Sequence, residues 1–172
     1  MDERRRRFEQ LVLPHLDAAY NLARWLAAQE ADDVVQDAML RAFRAFDGFR
    51  GGDAKPWLLA IVRNCHYTAA GQKGKRKSVP LPEEGEKEIA ADAPDPERSA
   101  IDTDRARKLN HAITTLPDEF RETLVLREME DMSYREIADI TGTPIGTVMS
   151  RLARARALLR ERWSAETKEM AP

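Results

Sequence analysis

Three histidines, one cysteine and the carboxylates are the groups from which catalysis would have to be built, and their spacing does not build it. His15, His66 and His111 stand far apart, and no His/Cys/carboxylate set has the spacing of metal ligands. The phosphate cradle GxxxxGK(S/T), the nucleophile elbow GxSxG and the dinucleotide fingerprint GxGxxG are all absent. Cys65 and His66 are adjacent, but successive residues on a helix diverge and do not face each other. Neither an enzyme nor a cofactor is expected.

Recognition chemistry is better represented. Ser133 followed by Glu136 fits a capping box at a helix start. Gly142 then marks a turn, Thr143 is expected as an N-cap, and Pro144 as the first residue of a second helix. From there Ile145, Val148, Leu152, Ala155 and Leu159 recur at spacings of three and four, which predicts one buried stripe. The other face carries Thr147, Ser150, Arg151 and Arg154, and the helix runs on to Arg160 and Arg162. Hydroxyls and guanidiniums opposite an apolar stripe suit a helix lying in a DNA major groove. A solvated basic face is the plainer alternative.

Two other constellations have paired readings. Asp33 and Asp37 lie one turn apart near a predicted helix N-terminus. They either compensate the helix dipole, with Asp37 pairing Arg41, or form a docking face for a basic partner. Trp57 follows the Gly51-Gly52 loop and precedes a basic cluster of Lys73, Lys75, Arg76 and Lys77. It is either a core anchor or a platform on which unpaired bases stack beside a phosphate-binding cluster.

These groups require a helical scaffold. The 172 residues are 42% hydrophobic and only 6% aromatic, with no sustained period-two alternation, so the expected class is all-α. No apolar run approaches a membrane span, no apolar leader follows Met1-Asp2-Glu3-Arg4, and one cysteine suits a reducing compartment, so a cytoplasmic protein without membrane insertion is expected. A net charge of −2 conceals segregation: residues 82–104 carry nine acids against Lys87 and Arg98, leaving the remainder of the chain basic. A first lobe over 1–73 is predicted to hold one long helix from Phe8 to Leu26, a second from Asp32 to Phe46, and a third opened by Pro56 and running from Trp57 to about Ala70. A flexible acidic tether is expected over 74–104, a four-helix lobe over 105–165 with Phe120, Leu124, Val125 and Met129 in its core, and a tail over 166–172.

In order and separation, two blocks resemble an extracytoplasmic-function (ECF) RNA polymerase sigma factor. The first is Asp32-Asp33-Val34-Val35-Gln36-Asp37-Ala38-Met39-Leu40-Arg41-Ala42, then Phe49-Arg50-Gly51, Trp57-Leu58 and Ile61-Val62-Arg63-Asn64. The second is Leu116-Pro117, Phe120-Arg121, Ser133 to Ala138, and Gly146 to Arg156. The resemblance implies a region 2-like bundle and a region 4-like helix-turn-helix. It implies that Asp33, Gln36, Asp37 and Arg41 dock on the clamp of the large subunit of core RNA polymerase, and that the second lobe meets the flap of the other large subunit. Phe49, Arg50, Lys55, Trp57, Arg63 and Asn64 would hold the melted −10 strand. Arg135, Thr143, Gly146, Thr147, Ser150, Arg151 and Arg154 would contact the −35 duplex of promoter DNA. An anti-sigma factor is the implied regulatory partner, and no fused sensing module is expected after Trp163. A stand-alone helix-turn-helix regulator is the main alternative, although no coiled-coil heptads supply a dimer interface. An enzyme or an adaptor working through the acidic helix is the third.

Overall fold

The computed structural model describes the backbone of residues 1–75 and 96–169 and the side chains of 1–71 and 103–169. All regular structure among them is helical. The expected long first helix is two: α1 (Asp2–Leu11) and α2 (Leu16–Ala27), separated by a 3-10 turn over Leu13–His15. Pro14 causes the break, because it lacks an N–H and its ring clashes with the preceding turn. Then come α3 (Ala31–Ala45) and α4 (Ala54–Lys75). Helix α4 starts ahead of Pro56 rather than at it, and the Asp53 carboxylate accepts from the Lys55 N–H at 2.9 Å across that start. Gly51 and Gly52 precede it at φ of +90° and +86°, a conformation that strains any residue with a Cβ.

Most of the expected tether, 76–95, lies outside the described residues, as do the side chains of Lys73, Lys75, Arg76 and Lys77. Helical backbone extends further toward it than expected from both sides, through Lys75 and again from Pro96, where α5 (Pro96–Thr114) begins. Next are α6 (Asp118–Leu124), a π-turn (Val125–Met129), α7 (Tyr134–Thr141) and α8 (Ile145–Lys168). Helix α8 therefore takes in the start of the expected tail.

The capping box forms as the sequence predicts: Ser133 Oγ accepts from the Glu136 N–H at 3.1 Å and Glu136 accepts from the Ser133 N–H at 3.0 Å. Gly142 closes α7 at φ +65°. Thr143 is not the next N-cap. Pro144 holds that position, and the Thr143 hydroxyl instead bonds that of Thr141 at 2.8 Å. Two expected core residues are outside the core. Ile145 is 41% exposed because it opens α8, a turn ahead of the buried Val148. Met129 is 38% exposed because the π-turn, whose Glu130 N–H reaches Val125 O at 3.1 Å, rotates it off the face that buries Leu124 and Val125.

The two lobes share a core. Leu22, Leu58, Val62 and Cys65 of the first belong to one apolar cluster with Val125, Leu126, Ile137 and Val148 of the second. Helix α7 packs on α4, and α6 on α2. Ile113, Leu116, Leu124, Leu152 and Ala155 make a smaller cluster within the second lobe. Trp25 touches both clusters and marks the seam.

Candidate nucleic-acid interface

Helix α3 buries Val34, Val35, Ala38 and Ala42, turning Asp33, Gln36 and Arg41 to solvent, with Asp37 half-buried. Asp37 pairs with Arg41 at 3.0 Å, one turn along. Asp33 and Asp37 also line a cleft with Glu30, Val34, Cys65 and Ala69, and the exposed Leu40 lies on the same helix. Burial, and then the nearby Asp37 carboxylate, push the Cys65 thiol up to about 11. The shift leaves roughly a hundredfold less thiolate at neutral pH than an ordinary cysteine has. Aromatic disulfide reagents at about pH 8 are therefore expected to modify Cys65 at least about a hundredfold more slowly in the native protein than after unfolding. Equal rates would contradict that burial.

The loop after α3 gathers aromatic rings. Phe49 stacks on Phe46 at 6.0 Å and tilts on Trp57 at 5.0 Å, while Phe46 meets Phe8 edge-on at 5.3 Å. Both proposed roles of Trp57 are therefore compatible with its place: it is half-buried, anchored to Phe46 and Phe49, and keeps part of its ring accessible. Arg50 and Asn64 are exposed. Lys55 and Arg63 are not. Lys55 Nζ lies 3.1 Å from the Glu130 carboxylate, and Arg63 donates to the Glu122 carboxylate. The Arg63 guanidinium sits 4.5 Å over the Tyr67 ring. Tyr67 donates to the second Glu122 oxygen at 3.3 Å, and burial together with Glu122 pushes its hydroxyl up to about 12. Burial raises the Glu122 carboxyl above its ordinary range, opposed by Arg63 and the Tyr67 bond. Burial also lowers His66, keeping its imidazole neutral at pH 7.

In the second lobe Arg135, Gly146, Ser150 and Arg154 are exposed, while Thr143 and Thr147 are half-buried. Ser150 donates to the Thr147 carbonyl at 3.1 Å. Arg151 is partly covered and lies 3.7 Å from Glu119. Sequence reasoning missed Ile145 and Met149, which are exposed one turn apart on α8 and offer the apolar contact that a thymine methyl accepts. It also missed Asn21, Tyr67, Glu122 and Glu130, which meet across the seam. One signal was present for Glu122: it precedes the buried Val125 and Leu126 by three and four residues, a core-facing register.

Residues 11–76 match the model of Sigma-70 region 2, and residues 106–159 that of Sigma-70 region 4. The ECF RNA polymerase sigma-E factor of Escherichia coli K12 is 32% identical over 157 residues, covering 87% of this chain and 82% of that protein. The chain belongs to the ECF RNA polymerase sigma factors. The ECF sigma factor SigE of Mycolicibacterium smegmatis is 32% identical over 166 residues, 95% of this chain, which spans 64% of that relative's length. In structure, this sigma factor is similar to the sigma factor RpoE of Bartonella quintana, solved in complex with the anti-sigma factor NepR. The TM-score is 0.76 at 28% identity, covering 91% of this chain and 96% of that one. No group of three or more His, Cys, Asp or Glu side chains among the described residues is arranged to hold a metal ion. No described helix is long and apolar enough to cross a membrane.

Proposed function

We propose that this alternative sigma factor directs promoter-specific initiation by docking on core RNA polymerase through the α3 face of Asp33, Gln36, Asp37 and Arg41. The first lobe then holds the melted −10 strand with Phe49, Arg50, Lys55, Trp57, Arg63 and Asn64, and works in the cytoplasm with the polymerase. Aromatic rings beside cations suit that task, because stacking offsets part of the cost of unpairing a base. The second lobe sits against the flap of the other large subunit and reads the −35 duplex with Arg135, Thr143, Gly146, Thr147, Ser150, Arg151 and Arg154, joined by Ile145 and Met149. The observation that carries this reading is that α8 buries Val148 and Leu152 while leaving Gly146, Ser150 and Arg154 to solvent. An anti-sigma factor is its regulatory partner, as NepR is for its structural relative.

The test is transcription by purified core polymerase on fragmented bacterial genomic DNA, with and without this chain. New starts sharing two upstream motifs at one spacing are expected. No new starts, with no co-purifying polymerase, would favour a stand-alone helix-turn-helix regulator. Once the −35 motif is known, Arg151→Ala is expected to weaken binding to it by about 1–3 kcal/mol if the guanidinium reads a base. A loss uniform across sequences would make Arg151 a phosphate contact instead.

A further inference from the structure

Helix α1 carries consecutive arginines from Arg4 to Arg7, ahead of the region 2 match that begins at residue 11. Three of them are engaged close by. Arg4 pairs with Asp47 at 2.9 Å and donates to the Phe43 carbonyl at 2.6 Å. Arg5 pairs with Glu9 at 2.8 Å and Arg6 with Asp2 at 3.1 Å, each one turn away on the same helix. Arg7 differs. It is exposed, no carboxylate among the described residues pairs with it, and its guanidinium rests 5.8 Å from the centre of the Phe46 ring.

That ring is the buried root of the aromatic cluster in the loop between α3 and α4. Phe46 stacks on Phe49 at 6.0 Å and meets Trp57 at 6.4 Å. Phe8, the residue after Arg7, packs edge-on against both Phe43 and Phe46 and fixes α1 on the end of α3. The Arg4 contacts to Asp47 and Phe43 tie the same two elements together. Arg7 is therefore delivered to the cluster by packing rather than by chance. A ring contact leaves the N–H donors at the edge of a guanidinium available, and their fork matches the oxygens of a phosphate. It also holds a long side chain near one place, which lowers the entropy lost when a ligand binds. Single-strand sites combine rings that stack bases with cations that track the phosphates linking them.

We propose that Arg7 binds a backbone phosphate of the strand whose bases stack on Phe49 and Trp57, extending the single-strand site from the loop between α3 and α4 onto α1. This rests on the reading of that loop as the −10 site, to which it adds a residue on an element that reading does not use. Arg4 is a positioning residue, holding α1 where Arg7 reaches Phe46.

The test uses core polymerase loaded with the full chain. The probe is a fluorescein-labelled non-template strand of about 20 nucleotides carrying the −10 motif of a start found by genomic transcription, read by anisotropy. Arg7→Ala is expected to weaken binding at least about fivefold and to reduce the slope of log affinity against log salt by about 0.7, the contribution of one phosphate contact on a single strand. Arg7→Lys keeps the charge and is expected to recover part of the affinity and most of the slope. Arg5→Ala removes the same charge from an exposed position on the same helix and is expected to alter affinity by no more than about twofold. Unchanged binding by Arg7→Ala would overturn the proposal, as would an equal loss in Arg5→Ala or a loss that leaves the salt slope as it was. Arg50→Ala and Trp57→Ala separate the two readings. If either weakens strand binding while Arg7→Ala does not, the −10 site stands and the Arg7 contact falls. If none of the three weakens it, or genomic transcription yields no new start, both fall together.

Discussion

Asp33→Lys combined with Asp37→Lys is expected to abolish initiation on every promoter while leaving the fold intact. The fold has little at stake. Asp33 lies in the first turn of α3, where a carboxylate contributes about 0.3–1 kcal/mol through the helix dipole. Asp37 forms an ion pair with Arg41 whose two side chains are 45–47% exposed, a class of contact worth a few tenths of a kcal/mol once solvent screening is counted. Neither acid is part of the apolar core, so thermal melting is expected to move by only a few degrees. A docking face is far more sensitive. Reversing two charges turns attraction for a basic partner into repulsion, and like-charge juxtaposition at an interface costs several kcal/mol. Polymerase affinity is therefore expected to fall at least about a hundredfold, with run-off transcription lost in parallel. Normal initiation by a folded double variant would remove α3 as the docking face.

The largest effect on stability is expected from Leu126→Ala. Leu126 is fully buried in the cluster that both lobes share, in the π-turn between α6 and α7. Removing a buried leucine side chain costs about 2–5 kcal/mol, comprising lost transfer energy and a residual cavity. For a chain of this size that corresponds to a fall in Tm of roughly 10 °C. Because the cluster spans the seam, probes in either lobe are expected to report one coincident transition, at a lower midpoint than in the wild type. Two separated transitions, with the first lobe unmoved, would show that the lobes fold independently and that the shared core contributes little.

Much of the local structure was legible because it depends on residues near one another in the chain. The Ser133 and Glu136 box and the Gly142 turn are fixed by backbone hydrogen bonding within a few residues, and both formed as read. The exposed acidic face of α3 follows from the three-and-four spacing of Val35, Met39, Ala42 and Phe46, of which Val35, Ala42 and Phe46 are buried and Met39 is partly covered. Where local signals competed, the reading went astray. Pro14 split a helix whose periodicity ran through it, and Pro144 took the cap expected of Thr143. The π-turn displaced Met129 because periodicity arguments assume 3.6 residues per turn throughout.

By itself the sequence determined the all-α class, the family, the helix-turn-helix and which residue types are available to meet polymerase and DNA. Only the tertiary structure decided what those residues touch. The family resemblance puts Lys55 and Arg63 on the −10 strand, yet in the fold each lies against a carboxylate 75 and 59 residues away in the chain. Trp25, an ordinary apolar position in α2, proves to sit where the two cores meet. Helix periodicity records which face of an element is buried but not which other element buries it. The pairing of lobes depends on long-range packing and charge complementarity, and these have no local spacing to betray them.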